Sequence, residues 1–276
     1  MRSLCHSIPF LLLTAVCMTA CNTAVDPGDA AVAEAATPAV MATADAGPSE
    51  AEDVPVEKGA SDMPCTSVTF DGHTYAAVAV GNRCWFAENL ASTHFASGEE
   101  IPYGRTDGEW LAGANRPLYC AYSHSDAMVE RYGLLYSGYA VEDDRALCPS
   151  GWHVATDEDW QDLEVAVGAS PATVGEPGNR DTQELKLAAL VKSKDGWPPA
   201  SAGTDDFGLA MSPAGTRLSD ARFMSAGSGA TIWTATEDAE ADEPKLFFRG
   251  LGNQNPGIFK SSFSKLGGFS VRCVRD

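Results

Sequence analysis

The stretch Leu147–Trp160, with the sequence Leu-Cys-Pro-Ser-Gly-Trp-His-Val-Ala-Thr-Asp-Glu-Asp-Trp, constrains the fold more than any other part of the chain. It predicts a buried strand that leads into a capped helix, with a turn marked by Pro149 and Gly151. The Thr156 hydroxyl can accept hydrogen bonds from the first free amides of the helix, and Asp159 stands where a capping-box acid belongs. The chain is therefore expected to form a strand–helix unit here.

The predicted helix continues with apolar residues at helical spacing, namely Trp160, Leu163 and Val167, and Gly168 is a suitable C-terminal stop. Acidic residues fill the first turn, where the positive end of the helix dipole favours them. One face of this helix is therefore expected to pack against a core.

Four segments in a fixed order carry a resemblance to a known family. They are Val80–Leu90, Tyr132–Tyr136, Leu147–Trp160 and Gly268–Asp276, and the last has the pattern of a closing strand. Together they resemble the Fibrobacter succinogenes major paralogous domain, a bacterial surface-protein module, over residues 65–276. That family is similar to C-type-lectin-like and formylglycine-generating-enzyme-like domains.

The resemblance implies an α+β, C-type-lectin-like domain with two helices and short antiparallel strands, stapled by a disulfide between Cys148 and Cys273. Closing so long a loop stabilises a fold by about 4–5 kcal/mol in the chain-entropy model. The other cysteines of the domain leave two pairings open, Cys65–Cys84 and Cys84–Cys120. No cysteine spacing fits a zinc site, so neither a metal nor a cofactor is expected.

Turn signals and apolar runs place the remaining elements. Asp71-Gly72 predicts a hairpin between strands at 68–70 and 73–80, and a second helix is expected to begin at Thr182. The polar segment Ile101–Pro117 predicts a long surface loop. This order of elements predicts a mixed α+β domain with helices early and sheet late. The other strand candidates are 84–86, 118–122, 232–233, 246–248 and 269–274.

The N-terminus predicts export and a lipid anchor. Residues 1–20 have the pattern of a signal peptide, whose apolar run is too short to span a bilayer. Met18–Cys21 resembles a bacterial lipobox, which makes Cys21 the expected lipidation site. Ordinary secretory cleavage after Ala20 is the alternative. Asn22 is not the Asp that such signals use for inner-membrane retention, so the expected location is the outer membrane, at the cell surface or on the periplasmic face.

Residues 21–60 predict a disordered acidic linker between the anchor and a folded domain at 61–276. The linker is rich in Ala and Pro and has no aromatic residue, so it cannot bury enough apolar surface to fold. The formal net charge of the whole chain is −19. Such a charge repels phosphate backbones, which argues against nucleic acid as a partner.

A binding or adhesion module for a glycan or a surface protein is the expected function. A structural surface decoration without a small-molecule ligand is the first alternative. An enzyme related to formylglycine-generating enzymes is disfavoured, because 234–249 lacks the redox cysteines that the resemblance would require. The calcium-binding motifs of lectins are also absent from the sequence. The candidate ligand residues combine an aromatic face with hydrogen-bonding groups around the late loops, and they are Trp233, Glu237, Arg249, Asn253 and Asn255.

Overall fold

The described part of the chain forms short antiparallel strands, with short helices between them in sequence. The structure is a computed structural model that describes residues 64–176 and 185–276. The predicted signal peptide, lipidation site and linker lie outside the described residues. The helices are α1 (Asp107–Leu111), α2 (Asp126–Tyr132), α3 (Gly138–Val141), α4 (Asp157–Ala166) and α5 (Ala188–Val191). The strands are β1 (Val68–Phe70), β2 (His73–Tyr75), β3 (Ala77–Val80), β4 (Arg83–Phe86), β5 (Tyr119–Cys120), β6 (Leu135–Ser137), β7 (Trp152–Val154), β8 (Thr216–Arg217), β9 (Phe223–Met224), β10 (Gly229–Glu237), β11 (Lys245–Gly252), β12 (Phe259–Ser264), β13 (Gly268–Phe269) and β14 (Cys273–Arg275).

The described strands form four antiparallel sheets. Their orders are β1-β2, β3-β4-β14-β7, β5-β6-β13-β8-β9 and β10-β11-β12. The strand predicted at the C-terminus is two strands, β13 and β14, and each lies inside a different sheet. The end of the chain therefore holds the two larger sheets in one fold. An α+β class is confirmed, but helices lie in the middle of the chain, not before the sheet, and there are more than the two predicted.

The predicted hairpin at the start of the domain is present, but its second strand is shorter than expected. Asp71 and Gly72 both adopt left-handed backbone conformations, with φ values of 47° and 76°, and close the turn between β1 and β2. The run predicted as one strand at 73–80 divides at Ala76 into β2 and β3. The strand β3 then joins a different sheet by pairing with β4.

The capped helix forms as predicted. Thr156 Oγ1 accepts from the Asp159 amide at 3.1 Å, and Asp159 Oδ2 accepts from the Thr156 amide at 2.8 Å. Two orphan amides are thus satisfied reciprocally, as a capping box requires. Trp160 of this helix is fully buried and packs edge-on against Trp85 of β4, with ring centroids 5.3 Å apart.

The segment 101–117, predicted as a long surface loop, is mostly irregular and exposed, but it contains a short helix that was not predicted. Thr106 and Glu109 form a second capping box and start the helix α1. Trp110 of that helix is fully buried and donates from Nε1 to the Leu266 carbonyl at 2.8 Å. The guanidinium of Arg217 lies over the same indole at 4.5 Å. Trp110 therefore anchors the segment to the core. The polar residues around it in the sequence had suggested that the whole segment is exposed.

The predicted second helix is reduced to the single turn α5. Thr182, its predicted start, lies outside the described residues. Lys186 has a φ of 54°, a left-handed conformation that a continuous helix cannot contain. Leu185, predicted on the apolar face, is accordingly 57% exposed, whereas Ala188 is buried.

Two disulfides connect the described cysteines. Cys148 is bonded to Cys273, the pairing that the resemblance implied, and it joins the segment before β7 to the start of β14. Of the two open alternatives for the second bridge, the structure contains Cys65–Cys84. Cys120 keeps a free thiol and is buried in β5.

Candidate ligand-binding cleft

Trp233 was predicted to contribute an aromatic face to a ligand surface, and the structure corrects this. Its side chain is 0% exposed. The indole Nε1 donates to the Tyr136 carbonyl at 2.8 Å, and the ring stacks on Phe269 with centroids 4.1 Å apart. Trp233 is therefore part of the core, because its strand β10 turns this side chain inward.

Arg249 was the second candidate, and it is also fully buried. Its Nε donates to Glu164 Oε1 at 2.6 Å and its Nη1 to Asp157 Oδ1 at 2.7 Å. Lys260 of β12 reaches the other oxygen of Asp157 at 2.8 Å. Arg249 therefore holds α4 against the β10–β12 sheet. Its positive charge is neutralised by Asp157 and Glu164 inside the protein and does not face a ligand.

The remaining candidates do not form one surface. Glu237 lies at one end of the β10–β11 hairpin and binds Lys265 at 2.9 Å. Asn253 and Asn255 follow the opposite end, where Gly229 pairs with Gly252. At about 3.3 Å per residue, the two ends are roughly 20 Å apart. Asn255 Oδ1 also accepts from the Gly257 amide at 2.9 Å and so stabilises its own turn. The prediction of a shared ligand surface was wrong.

A cleft lies instead along the helix α2. It consists of two adjoining cavities that share the lining residues Ala91, Val129 and Glu130, with volumes of about 370 Å³ and about 590 Å³. We call the smaller cavity the aromatic end and the larger one the polar end of the α2 cleft. Both volumes are in the range of small-molecule sites in proteins.

Two tyrosines form the wall of the aromatic end. Their partly exposed rings, of Tyr103 and Tyr119, have centroids 5.1 Å apart and are tilted by 32°. Backbone hydrogen bonds fix the pair, because the Gly104 amide donates to the Tyr119 carbonyl at 2.9 Å and the Tyr119 amide to the Pro102 carbonyl at 3.1 Å. Burial raises the pKa of both phenols, so both hydroxyls stay protonated at neutral pH.

Two carboxylates line the aromatic end. Asp126 and Glu130 are four residues apart on α2, so they lie on the same face of the helix. Thr93 adds a hydroxyl, and its Oγ1 donates to Asp71 Oδ2 at 3.0 Å. None of the described residues lining this end is a Lys, Arg or His. The aromatic end therefore offers aromatic faces and hydrogen-bond acceptors in a negative field.

The polar end continues the cleft past α2. His73 Nε2 and Glu88 Oε2 are 3.0 Å apart at its edge. Asn89 is buried in its wall and donates from Nδ2 to the Tyr132 carbonyl at 2.9 Å. Ser193 and further polar groups complete the lining, which also includes Arg131, Asp195 and Ser212. This end presents both signs of charge.

The model of the family described as the Fibrobacter succinogenes major domain matches residues 78–275. The chain belongs to this family. No curated protein and no solved structure matches it. In this Fibrobacter succinogenes major domain, the matched range contains the whole aromatic end of the α2 cleft, both cysteines of the Cys148–Cys273 bridge and all of α4.

Within the described parts of this Fibrobacter succinogenes major domain, no cluster of three or more His, Cys, Asp and Glu side chains is arranged to hold a metal ion. Across residues 64–176 and 185–276, every helix is too short or too polar to cross a bilayer.

Sequence reasoning missed the residues that line the cleft. Tyr103 stood in a segment interpreted as a surface loop, and Tyr119 in a short strand with no assigned role. A signal was nevertheless present, since Thr106 and Glu109 have capping-box spacing and indicate an ordered segment directly after Tyr103. What no local pattern shows is the pairing of Tyr119 beside Tyr103.

Proposed function

We propose that this protein is a lipid-anchored bacterial surface protein whose lectin-like domain binds a glycan in the aromatic end of the α2 cleft. The two partly exposed tyrosine rings of this end carry the proposal. A pyranose presents an apolar face of C–H groups and a rim of hydroxyls. Tyr103 and Tyr119 supply the aromatic faces on which such a ring stacks, and Asp126 and Glu130 accept hydrogen bonds from its hydroxyls.

The C-type-lectin-like assignment is part of the proposal. It is supported by short antiparallel strands, by the capped helix α4 directly after β7 of the β3-β4-β14-β7 sheet, and by the long-range bridge between Cys148 and Cys273. The sequence lacks the calcium-binding motifs of lectins, and the aromatic end of the cleft is lined by residues between β4 and β6. We therefore propose sugar binding without a metal.

The anchor is the second part of the proposal. Cys21 follows a short apolar run and the small residue Ala20, and an acidic tether of forty residues, 21–60, would separate the lipid from the domain. Radiolabelled palmitate is expected to label the wild type and not Cys21→Ser, and the labelled protein is expected in the outer-membrane fraction. Equal labelling of both proteins would contradict lipidation at this cysteine.

A glycan array tests the binding proposal, with and without calcium. The mature chain carrying Cys21→Ser is compared with the same chain carrying Tyr103→Leu or Tyr119→Leu. Loss of one stacking ring is worth about 0.5–1.5 kcal/mol, so roughly 2- to 10-fold weaker binding is expected for each variant. Tyr139→Leu is the matched control, because Tyr139 lies on α3, is also partly exposed and is outside the cleft lining.

The array also separates the alternatives. Binding that both cleft variants retain at full strength places the glycan elsewhere on the protein. If the protein shows a native unfolding transition but binds no glycan on the array, the result favours a structural surface module without a small-molecule ligand.

A further inference from the structure

Aromatic rings continue beyond the α2 cleft in an ordered row. Next to Tyr103, the exposed ring of His124 lies 6.2 Å away at an interplanar angle of 80°. Phe223 of β9 follows, 5.3 Å from His124 at 87°. We call Tyr119, Tyr103, His124 and Phe223 the aromatic row. The imidazole stands almost perpendicular to both flanking rings, so its polar edge lies between the rings of Tyr103 and Phe223.

The backbone under this row is held in an uncommon conformation. Ser123 and His124 are consecutive non-glycine residues with φ values of 50° and 56°. Such left-handed residues cost free energy and persist only where the surroundings fix them. Here the His124 amide donates to the Ala121 carbonyl at 3.1 Å and the Ser125 amide to the Tyr122 carbonyl at 3.2 Å. The strained pair places an imidazole in the row.

A buried guanidinium makes the far end of the row rigid. Arg217 is fully buried, with its Cζ 4.7 Å from the centre of the Phe223 ring and 4.5 Å from that of Trp110. It donates to Asp107 Oδ1 at 2.8 Å and to the Gly104 carbonyl at 3.0 Å. Phe223 is therefore fixed before any ligand arrives, which reduces the ordering cost of binding.

The charges near the row select against a polyanion. Asp126 and Glu130 lie beside its tyrosine end, and the whole chain carries a net charge of −19. Arg217 is already engaged by Asp107. Burial and the Arg217 charge lower the pKa of His124, which keeps its imidazole neutral at neutral pH. Two exposed cations lie near the row. Arg105 has its Cζ 5.6 Å from the Tyr103 ring centre, and Arg222, next to Phe223 in the chain, is paired with Asp220 at 2.7 Å.

We infer that the ligand is an uncharged polysaccharide chain several sugars long, which leaves the α2 cleft at Tyr103 and runs past His124 to Phe223. This inference rests on the proposed glycan-binding function and adds the class and the length of the ligand. Successive pyranose faces contact Tyr103 and Phe223, while the His124 edge lies between them and hydrogen-bonds to hydroxyls.

An oligosaccharide length series tests the inference. The probes are cello-oligosaccharides and N-acetyl-chito-oligosaccharides, from the disaccharide to the hexasaccharide, with oligogalacturonates of equal length as the polyanionic comparison. The variants are Phe223→Leu, which keeps apolar bulk against Arg217, and His124→Asn, since Asn tolerates a left-handed backbone. Each is made in the mature Cys21→Ser chain, and its unfolding transition is compared with that of the parent.

We expect affinity to rise with length for at least one uncharged series and oligogalacturonates to bind more weakly. Phe223→Leu and His124→Asn are expected to weaken hexasaccharide binding roughly 2- to 10-fold and to leave disaccharide binding unchanged. Tyr103→Leu is expected to weaken both.

Three results would overturn the inference. The first is an unchanged length dependence in Phe223→Leu and His124→Asn while Tyr103→Leu still weakens binding. That result would show that the ligand binds in the cleft but does not contact His124 or Phe223. The second is tighter binding of oligogalacturonates, and the third is no binding of either uncharged series. If Tyr103→Leu and Tyr119→Leu have no effect on a glycan that binds, the proposed function itself fails.

Discussion

Arg272 Nε donates to Asn89 Oδ1 at 2.8 Å, and through this contact two of the segments that carry the family resemblance meet in the core. The other guanidinium nitrogens donate to the carbonyls of Phe86, Leu209 and Ala210. Both side chains are buried. Burial lowers the pKa of Arg272 to about 9, which leaves it charged at neutral pH. A buried cation is thus held by amide and carbonyl oxygens.

Asn89→Ala is expected to destabilise the protein by about 1–3 kcal/mol, because it leaves a buried charged donor without its acceptor. Urea unfolding of the two proteins measures the difference. Asn253→Ala is the control, since Asn253 is exposed on the β11–β12 turn and is expected to change stability by less than about 0.5 kcal/mol. Equal midpoints for Asn89→Ala and the wild type would show that Arg272 does not depend on this contact.

This contact explains why the family was recognisable from the sequence and its ligand was not. The segments that carry the resemblance supply buried groups such as Trp85, Trp160 and Arg272. Capping and apolar spacing are local patterns, so they predicted α4, the turn of the first hairpin and the positions of several core strands, but not that the runs at 73–80 and 269–274 each divide into two strands. These segments supply core residues that determine the fold, and they contain few of the exposed residues that would form a ligand surface.

The cleft and the aromatic row depend on contacts that are distant in sequence. Tyr103 meets Tyr119 through a parallel bridge, and His124 meets Phe223 across 99 positions of the chain (223 − 124). Trp233, chosen as the aromatic ligand residue, lies next to a Gly-rich loop in sequence, but its strand directs it inward. Proximity to a loop is therefore a weak guide to exposure when strand register decides which side chains are buried.

The two disulfides are expected to differ in their contribution to stability. The Cys148–Cys273 bridge spans 125 residues and the Cys65–Cys84 bridge spans 19. The chain-entropy model assigns about 4–5 kcal/mol to the first and about 3 kcal/mol to the second. Replacing each pair with two alanines and measuring urea unfolding tests the order. A larger loss from removing Cys65–Cys84 would show that native contacts, and not loop length, dominate.

Cys120 is expected to resist alkylation in the folded protein. Burial raises the pKa of its thiol to about 12, although Arg217 opposes the shift, so the reactive thiolate is scarce at neutral pH. Iodoacetamide should leave Cys120 unmodified in the native state and label it fully in urea. Mass spectrometry of the tryptic peptides reads out both conditions, and rapid native labelling would contradict the buried placement of β5.

Gly250 is expected to be intolerant of alanine because the Phe259 ring lies against it. The two residues are directly paired between β11 and β12, and a Cβ at Gly250 would overlap the ring. Gly250→Ala should therefore cost about 1–3 kcal/mol of stability. Gly252→Ala is the matched control in the same strand, because its Cβ would meet Asn255 at an ordinary 3.6 Å. In the Gly250→Ala/Phe259→Ala double variant, the two losses should not add, since the clash is absent.

His153 connects the capped helix to the end of the chain. Its Nε2 lies 2.9 Å from Asp159 Oδ2 and its Nδ1 lies 2.6 Å from Asp276 Oδ1. The hydrogen bond with Asp159 raises the pKa of His153, burial opposes the rise, and Asp276 adds to it. Burial also opposes ionisation of Asp159, but hydrogen bonds from His153 and Thr156 outweigh it and lower its pKa to about 2. Arg83, 3.4 Å from Asp159, adds a second cation.

The stability of the protein is therefore expected to depend on pH through His153. Because its pKa is higher in the folded state than the unfolded value of about 6.5, its contribution is complete below that pH and is lost as the pH rises through the folded pKa. The contribution of Asp159 is complete above its unfolded pKa of 3.8 and is lost as the pH falls from there through about 2. Urea unfolding from pH 5 to pH 9 should show a decline in the wild type and a flatter profile in His153→Gln. The NMR titration of the His153 imidazole should give a pKa above about 6.5 that falls in Asp276→Asn. A wild-type profile identical to that of His153→Gln would rule out this linkage.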